Sequence, residues 1–295
     1  TPYTSSAASD VYKRQFLHAV LPFEWSSVTA IGRNNYLCLR RMHQAERDQQ
    51  GLFEDPERHA QMRKIVDWSL NAGDGTRQEL DSPPRPEVWE AVQAEHGNCL
   101  QRACKHYDQC YWQRARRRMQ TAQVLVVNHA LYFADLALRI AGASYLPAHR
   151  VVIFDEAHHL ERTATESLGL RLGRTTVSWH LRRIHKRRGE RTLLSRHGSG
   201  AAKLLWEEAQ QLNDAFFDAL QGRIQPGGAQ SDSVALHGEV IQETLSPVLR
   251  ALSLELSSAA TRAEQVDAQM ELQARASGLD SLCQMLKALC TPCLL

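Results

Sequence analysis

Residues 151–158 read Val-Val-Ile-Phe-Asp-Glu-Ala-His. The unbroken apolar run Val151 to Phe154, mostly β-branched, predicts a strand buried on both faces. The carboxylates that follow directly then stand at the carboxyl end of a strand, where open α/β sheets bind ligands. At such a place Asp155 is suited to hold a magnesium ion through its water shell, and Glu156 to orient the water that attacks a terminal phosphate. His158 lies close enough in sequence to relay the state of the phosphates. His159 does not make a zinc-protease helix, because His-Glu-x-x-His spacing is absent.

Working upstream, Val124 to Val127 is a second short apolar run, and the segment from His129 to about Arg139 between the two has helical character. Strand, helix, strand at this spacing predicts a βαβ unit with a parallel sheet. Farther upstream, Met62, Ile65, Val66 and Leu70 fall near helical spacing and predict a helix from about Glu57 to Asn71, closed by Gly73-Asp74-Gly75. Another helix is expected to begin near Pro86, after Ser82-Pro83-Pro84. Gly32-Arg33-Asn34-Asn35 reads as a turn.

Between these elements lies a cysteine constellation, Cys99, Cys104 and Cys110 in a Cys-x4-Cys-x5-Cys run, with Cys38 well upstream. Three clustered thiolates and a distant one can close a four-ligand site, and thiolates suit iron–sulfur clusters and zinc alike. Zinc is the less natural reading because paired Cys-x-x-Cys knuckles are missing, although His106 offers an alternative ligand. The segment from Cys99 to Cys110 is too polar to organise itself by apolar burial, so ligand binding is expected to order it, and residues 38–110 to loosen first if the ligand is lost. Cys283, Cys290 and Cys293 read as core thiols or terminal residues, without redox context.

Arg102, Lys105, Arg114, Arg116, Arg117 and Arg118 cluster around the same cysteines, with Tyr107, Tyr111 and Trp112 among them. Cations interleaved with aromatics suit a single nucleic-acid strand, whose phosphates need charge and whose bases can stack; the bland alternative is a solvated helix face. A second basic run, Arg182-Arg183 and Lys186-Arg187-Arg188 to Arg191, is as suited to a solvated face as to DNA.

After about Thr165 the character changes. Ala201 to Leu220, Val234 to Leu256 and Ala259 to Leu289 are rich in strong helix formers, with loops at Arg187 to Gly200 and Gly222 to Ser233 and the clearest break at Pro226-Gly227-Gly228. A chain of 295 residues holds about two domains. With 43% hydrophobic and 23% charged residues it is globular, not disordered. No apolar run approaches the ~18 residues of a membrane span, and no secretory signal is recognisable, so a cytoplasmic protein with no membrane partner is expected. The net charge of +2 leaves the choice of partner to local clustering. Residues 1–15 are small and polar and are expected to be a leader outside the fold.

Gly-Arg-Asn-Asn-Tyr-Leu-Cys, the Cys-x4-Cys-x5-Cys run, Val124 to His129 and the Asp-Glu-Ala-His box, in this order and at these intervals, resemble the XPD/DinG-type superfamily-two DNA helicases, most closely the bacterial DinG branch. The resemblance is strong over about residues 16–170, and the helical remainder shares position and character. It implies an α/β fold: a partial RecA-like motor domain over 16–37 and 120–165, an iron–sulfur domain inserted over 38–119, and an incomplete α-helical Arch-type domain over 166–295. By the resemblance, Cys38, Cys99, Cys104 and Cys110 hold a four-iron four-sulfur cluster, Asp155 and Glu156 form the acidic motif of ATP hydrolysis with Mg2+, and Arg33 lies on the DNA side of the cluster. The implied partners are ATP and single-stranded DNA, translocated 5′ to 3′, and the implied state is a monomer.

The departures bear on activity. The 295 residues contain no Gly-x-x-x-x-Gly-Lys-Ser/Thr loop and no second motor domain after the helical region, so the chain on its own is expected to lack ATPase activity. The competing reading is a metal-stabilised nucleic-acid-binding module without a motor. The missing phosphate loop favours it, and the acidic box, of no use to a pure binder, opposes it.

Overall fold

The computed structural model describes residue 16 and residues 19–47, 55–185, 192–223 and 243–290. The protein is mostly helical, with one small parallel sheet of two strands among the described residues, β1 (Ser27–Ala30) and β2 (Val124–Val127), paired from Ser27 opposite Val124 to Ala30 opposite Val127. Between the two strands lie α1 (Leu39–Arg47), α2 (Pro56–Ser69), α3 (Pro86–Val92) and α4 (Tyr111–Thr121). The chain therefore leaves the sheet after β1, builds the cysteine-bearing unit, and returns beside its starting point. After β2 come α5 (His129–Ile140) and α6 (Leu160–Leu168). The helical unit follows, with α7 (Arg174–Ile184), α8 (Leu193–His197), α9 (Gly200–Arg223), α10 (Leu245–Arg262) and α11 (Val266–Cys290).

Local chemistry accounts for most of these boundaries. The Asp55 carboxylate caps α2 by accepting from the Glu57 amide, and Pro56 supplies the fixed φ of a first turn. Asn128 caps α5 by accepting from Leu131 N at 2.8 Å. Of the expected long helices, α9 lies where the composition put it, and Val234 to Leu256 resolves into α10 starting at Leu245, with residues 234–242 outside the described residues. Ala259 to Leu289 is divided between the end of α10 and α11, and the loop expected up to Gly200 contains the short α8. The leader, the Pro-Gly-Gly break and Cys293 lie outside the described residues.

Two apolar cores result. The first joins Ala30, Tyr36, Leu37, Met42, Met62, Ile65, Trp89, Trp112 and Met119, and the second joins Leu181, Trp206, Leu249, Leu256, Leu272, Leu279 and Leu286 across α7, α9, α10 and α11. Residues 38–110 thus contribute to an apolar core, contrary to the expectation from their polar cysteine loop, and share it with residues on either side of the span. The helices are largely polar too, but each buries an apolar face, Met42 and Ala45 on α1, Met62 and Ile65 on α2, and Val88, Trp89 and Val92 on α3. Cys283 is a buried core thiol that donates to Ser246 O.

The strand expected over Val151 to Phe154 does not form. Among the described residues the run belongs to no ladder, and Ile153 is 91% exposed. A β-branched run becomes a strand only where a neighbour completes its hydrogen bonds, and neither β1 nor β2 pairs with it. Only Phe154 is anchored, edge-on to Tyr132 at 5.2 Å and stacked on Phe133 at 6.4 Å. The parallel sheet exists, but the partner of β2 is β1, a segment of sequence Ser-Val-Thr-Ala with no marked apolar pattern.

Candidate functional site

The cysteine site is assembled from two ends. Cys38 is fixed by short rungs: Leu37 N donates to Gly75 O at 2.9 Å, Cys38 N to Val92 O at 2.8 Å, and Ala94 N to Tyr36 O at 2.8 Å. Gly75 is required at its position, since its φ is +68° and a Cβ there would stand 2.1 Å from the Tyr111 ring. The other three cysteines sit on a chain of tight turns. Gln101, at φ +49°, donates its amide to Cys99 Sγ at 3.4 Å, Cys104 N donates to Gln101 O, Tyr107 N to Cys104 O, and Cys110 N to Tyr107 O. Cys110 then opens α4.

All four are free thiols and half-buried. Burial pushes the Cys110 thiol up; the amides of Gln113 and Trp112 oppose this, while the charges of Cys38 and Cys99 add to it. Cys104 and Cys38 both act on the Arg40 guanidinium. Cys38 is common to both sets, facing Cys110 on one side and Arg40 on the other. Among the described residues no three His, Cys, Asp or Glu side chains are arranged to hold a single metal ion. His106 stacks on His43 at 5.1 Å, and burial, with His43 and neighbouring cations, lowers its pKa.

The basic residues of α4 divide by helix face. Arg114 donates to Gly73 O and lies over the Tyr111 ring at 5.1 Å, and Arg118 pairs with Asp74 at 2.7 Å, so both face the loop before α3. Arg116 and Arg117 are exposed, with no ion pair among the described residues, and Arg117 lies 6.0 Å over Tyr107. Arg102 and Lys105 are exposed on the cysteine loop. Arg33 covers the Trp112 ring at 5.3 Å, and its Nε is buried without a partner. Tyr111 corrects the sequence reading: it is 6% exposed, its hydroxyl donates to Ser69 O at 3.0 Å, and it offers no stacking face. Trp112 is likewise in the core, which leaves half-buried Tyr107 as the ring nearest these cations. Of the second basic run, Arg182 is exposed, Arg183 is committed to an ion pair with Glu95, and residues 186–191 lie outside the described residues.

The acidic box stands on the turn after the unpaired run. Asp135, buried at the end of a helical turn of α5, accepts from Tyr145 N and Leu146 N and pairs with Arg139 at 2.6 Å, which folds the chain back before residue 151. Asp155 Oδ1 accepts from Glu156 N at 3.0 Å, and Glu156 Oε2 lies 3.4 Å from His158 Nδ1, with all three side chains exposed. Glu156 adopts φ +49° and ψ +47°, a left-handed conformation that costs a non-glycine residue about 1 to 2 kcal/mol and is concentrated at functional turns. The exposed pair itself contributes little to stability.

Sequence reasoning missed a buried ionic network between the two units. Glu95 accepts from Arg275 at 2.7 and 2.8 Å and from Arg183 at 2.5 Å, with Arg41 at 3.7 Å. Arg275 Nε also donates to Glu271 at 2.9 Å. Arg40 donates to Asp267 Oδ1 and to Asn98 Oδ1, each at 2.6 Å, and Asn98 donates in turn to Glu271. These residues are spread from Arg40 to Arg275, so no local period or spacing marks them.

The DEAD_2 family matches residues 83–177, a span that includes Cys99, Cys104, Cys110, Asp155 and Glu156. The chain is 38% identical over 144 residues to the ATP-dependent DNA helicase YoaA of Haemophilus influenzae, covering 47% of this chain and 22% of that protein. It is 30% identical over 206 residues to the ATP-dependent helicase DinG of Mycobacterium tuberculosis, covering 62% of this chain and 31% of the relative. The Escherichia coli YoaA helicase is 33% identical over 143 residues, covering 47% and 22% respectively. The match spans between about a fifth and a third of the length of these relatives. No described helix is long and apolar enough to cross a membrane. With Cys99, Cys104, Cys110, the exposed arginines of α4 and the acidic turn falling in one matched region, the chain is similar to DinG-like helicases of the XPD/DinG type over part of their length.

Proposed function

We propose that this chain is part of an ATP-dependent DNA helicase that moves 5′ to 3′ on single-stranded DNA, acting as a cytoplasmic monomer. The observation that carries the reading is that one family region runs through both the clustered cysteines and the Asp155-Glu156 turn, with Glu156 held in a left-handed conformation. In this reading β1, β2 and α5 are part of a RecA-like motor domain, residues 38–119 are the inserted iron–sulfur domain, and residues 166–295 belong to the Arch.

The donor set fits a four-iron four-sulfur cluster. Cys38, Cys99, Cys104 and Cys110 are free and half-buried, Cys38 and Cys99 both act on Cys110, and thiolates are the ligands such clusters take. The cluster would supply a rigid cross-link for a polar loop. Asp155 has one carboxylate oxygen free of its turn and would hold Mg2+, while Glu156 would orient or deprotonate the attacking water beside His158. Arg33, Arg102, Lys105, Arg116 and Arg117 would meet phosphates.

The test joins the chain to motor segments of a full-length relative and measures DNA-stimulated ATP turnover. The hybrid should hydrolyse ATP, Glu156→Gln should abolish turnover while sparing DNA binding, and the 295 residues alone should be inactive. A hybrid that binds DNA but is indifferent to Glu156→Gln would favour the binding module without a motor.

A further inference from the structure

Arg40 is 4% exposed and stands between three partners that the sequence keeps far apart. Its guanidinium donates at 2.6 Å to Asp267, at the start of α11 in the helical unit. It donates to the side chain and carbonyl of Asn98, at 2.6 and 3.1 Å, and Asn98 immediately precedes Cys99. Arg40 itself lies two positions after Cys38.

At this interface Arg40, Arg41, Arg183 and Arg275 meet Glu95, Glu271 and Asp267, with exposed Arg47 also reaching Asp267 at 3.6 Å and the Glu90 carboxylate accepting from Trp179, the ring that Arg183 covers. A buried charge without compensation is strongly unfavourable, so Arg40 keeps both partners only while the helical unit and the cysteine loop stay in place.

We propose that Arg40 is a positioning residue of the cysteine site and that, through Asn98 and Asp267, it links occupancy of that site to docking of the helical unit. The inference rests on reading the four cysteines as ligands of an iron–sulfur cluster. Linkage is reciprocal: whatever fixes Arg40 and Asn98 holds the backbone at Cys38 and Cys99 in place, and a loaded site that holds those cysteines in place favours the docked helical unit. Partners just outside a ligand shell typically change metal retention by 10- to 100-fold, although Asp267 touches no cysteine.

The experiment uses the full 295-residue chain, prepared without oxygen and reconstituted with iron and sulfide. Wild type, Asp267→Asn, Asp267→Glu and Asp280→Asn are compared for iron and sulfide content and for the rate of iron release to a ferrous chelator. Asp280→Asn is the control, because it removes the same charge from the same helix at an exposed pair with Arg250. Asp267→Asn should release iron about tenfold faster, Asp267→Glu should recover most of the retention, and the control should match wild type. Hydrogen exchange of wild type, loaded and unloaded, needs no variant, and loading should slow exchange in residues 266–276. Equal release from wild type and Asp267→Asn, or identical exchange with and without iron, overturns the linkage while leaving the cluster reading intact. Failure of the wild type to take up iron and sulfide overturns both.

Discussion

Replacing Glu95 by Gln tests what holds the two units together. The carboxylate takes three hydrogen bonds within 2.8 Å from Arg275 and Arg183, with Arg41 at 3.7 Å, and Arg275 is only 4% exposed. Burial pushes the Glu95 carboxyl up, yet the bonds and charge of Arg275, with Arg41 and Arg183, outweigh it and hold the carboxyl far below its ordinary range. Glutamine keeps the volume but removes the charge and turns an amide NH2 toward guanidinium donors. Breaking one partner of a buried pair costs about 3 to 5 kcal/mol, because the remaining charges stay buried without compensation. Each unit has its own apolar core, so the loss should fall on the interface. The interface opens before either core melts.

The assay is urea denaturation of wild type and Glu95→Gln, with hydrogen exchange read separately over residues 36–45, 174–184 and 266–280. Exchange at the facing segments should accelerate at urea concentrations that leave residues 245–262 protected. The double substitution Glu95→Leu with Arg275→Leu removes a charge of each sign and should cost about 2 kcal/mol less than the sum of its single changes. A loss below about 1 kcal/mol for Glu95→Gln, the scale of an exposed pair, would refute the claim that this network fixes the interface.

The same carboxylates set a pH dependence. Against burial, Arg275 and Arg41 hold Glu271 at about 2, and Glu95 is also depressed, so their stabilisation is complete above about pH 4.5 and is lost as pH falls toward about 2. A thermal midpoint unchanged between about pH 7 and pH 3 would contradict the assignment. Gly75→Ala forces a Cβ to 2.1 Å from the Tyr111 ring at a φ of +68° and should cost about 2 to 3 kcal/mol in a thermal melt. Arg116→Ala with Arg117→Ala should lower the salt slope of single-strand binding, read by fluorescence anisotropy, by about 0.7 per lost phosphate contact, and an unchanged slope would move the DNA path off α4.

What the sequence made legible was what a short stretch decides for itself. Asp55 and Pro56 announce the start of α2, and the Met62 and Ile65 spacing gives its buried face. Val124 to Val127 reads correctly because its apolar residues do find a partner strand. Val151 to Phe154 has a similar composition and fails, because strand formation depends on a neighbour that local pattern cannot report. Tyr111 and Trp112 fail as stacking platforms for a related reason. Aromatic rings beside arginines can be a ligand surface or the edge of a core, and the approach of Gly75 and Ser69 decides for the core.

The arginines carry the point further, since one residue type meets several fates within a few positions. Helix phase, about 100° per residue, brings Arg114 and Arg118 to one face, puts Arg116 on the opposite side, and leaves Arg117 on the flank near Tyr107. That division was available from spacing once α4 was recognised, and it reduces a run of cations to two exposed candidates on the helix that have no ion pair among the described residues. Arg182 and Arg183 are different. Their separation depends on Glu95, nearly ninety positions away, entering the face of α7 that carries Arg183. Adjacent charges on a helix therefore divide between solvent and interface according to a distant carboxylate. The Glu95→Gln and Arg116/Arg117 substitutions perturb these two populations separately. The first should loosen the interface and leave the salt slope of DNA binding unchanged, and the second should lower that slope without moving the unfolding midpoint. If either change moved both readouts, the interface and the exposed basic face would not be independent surfaces.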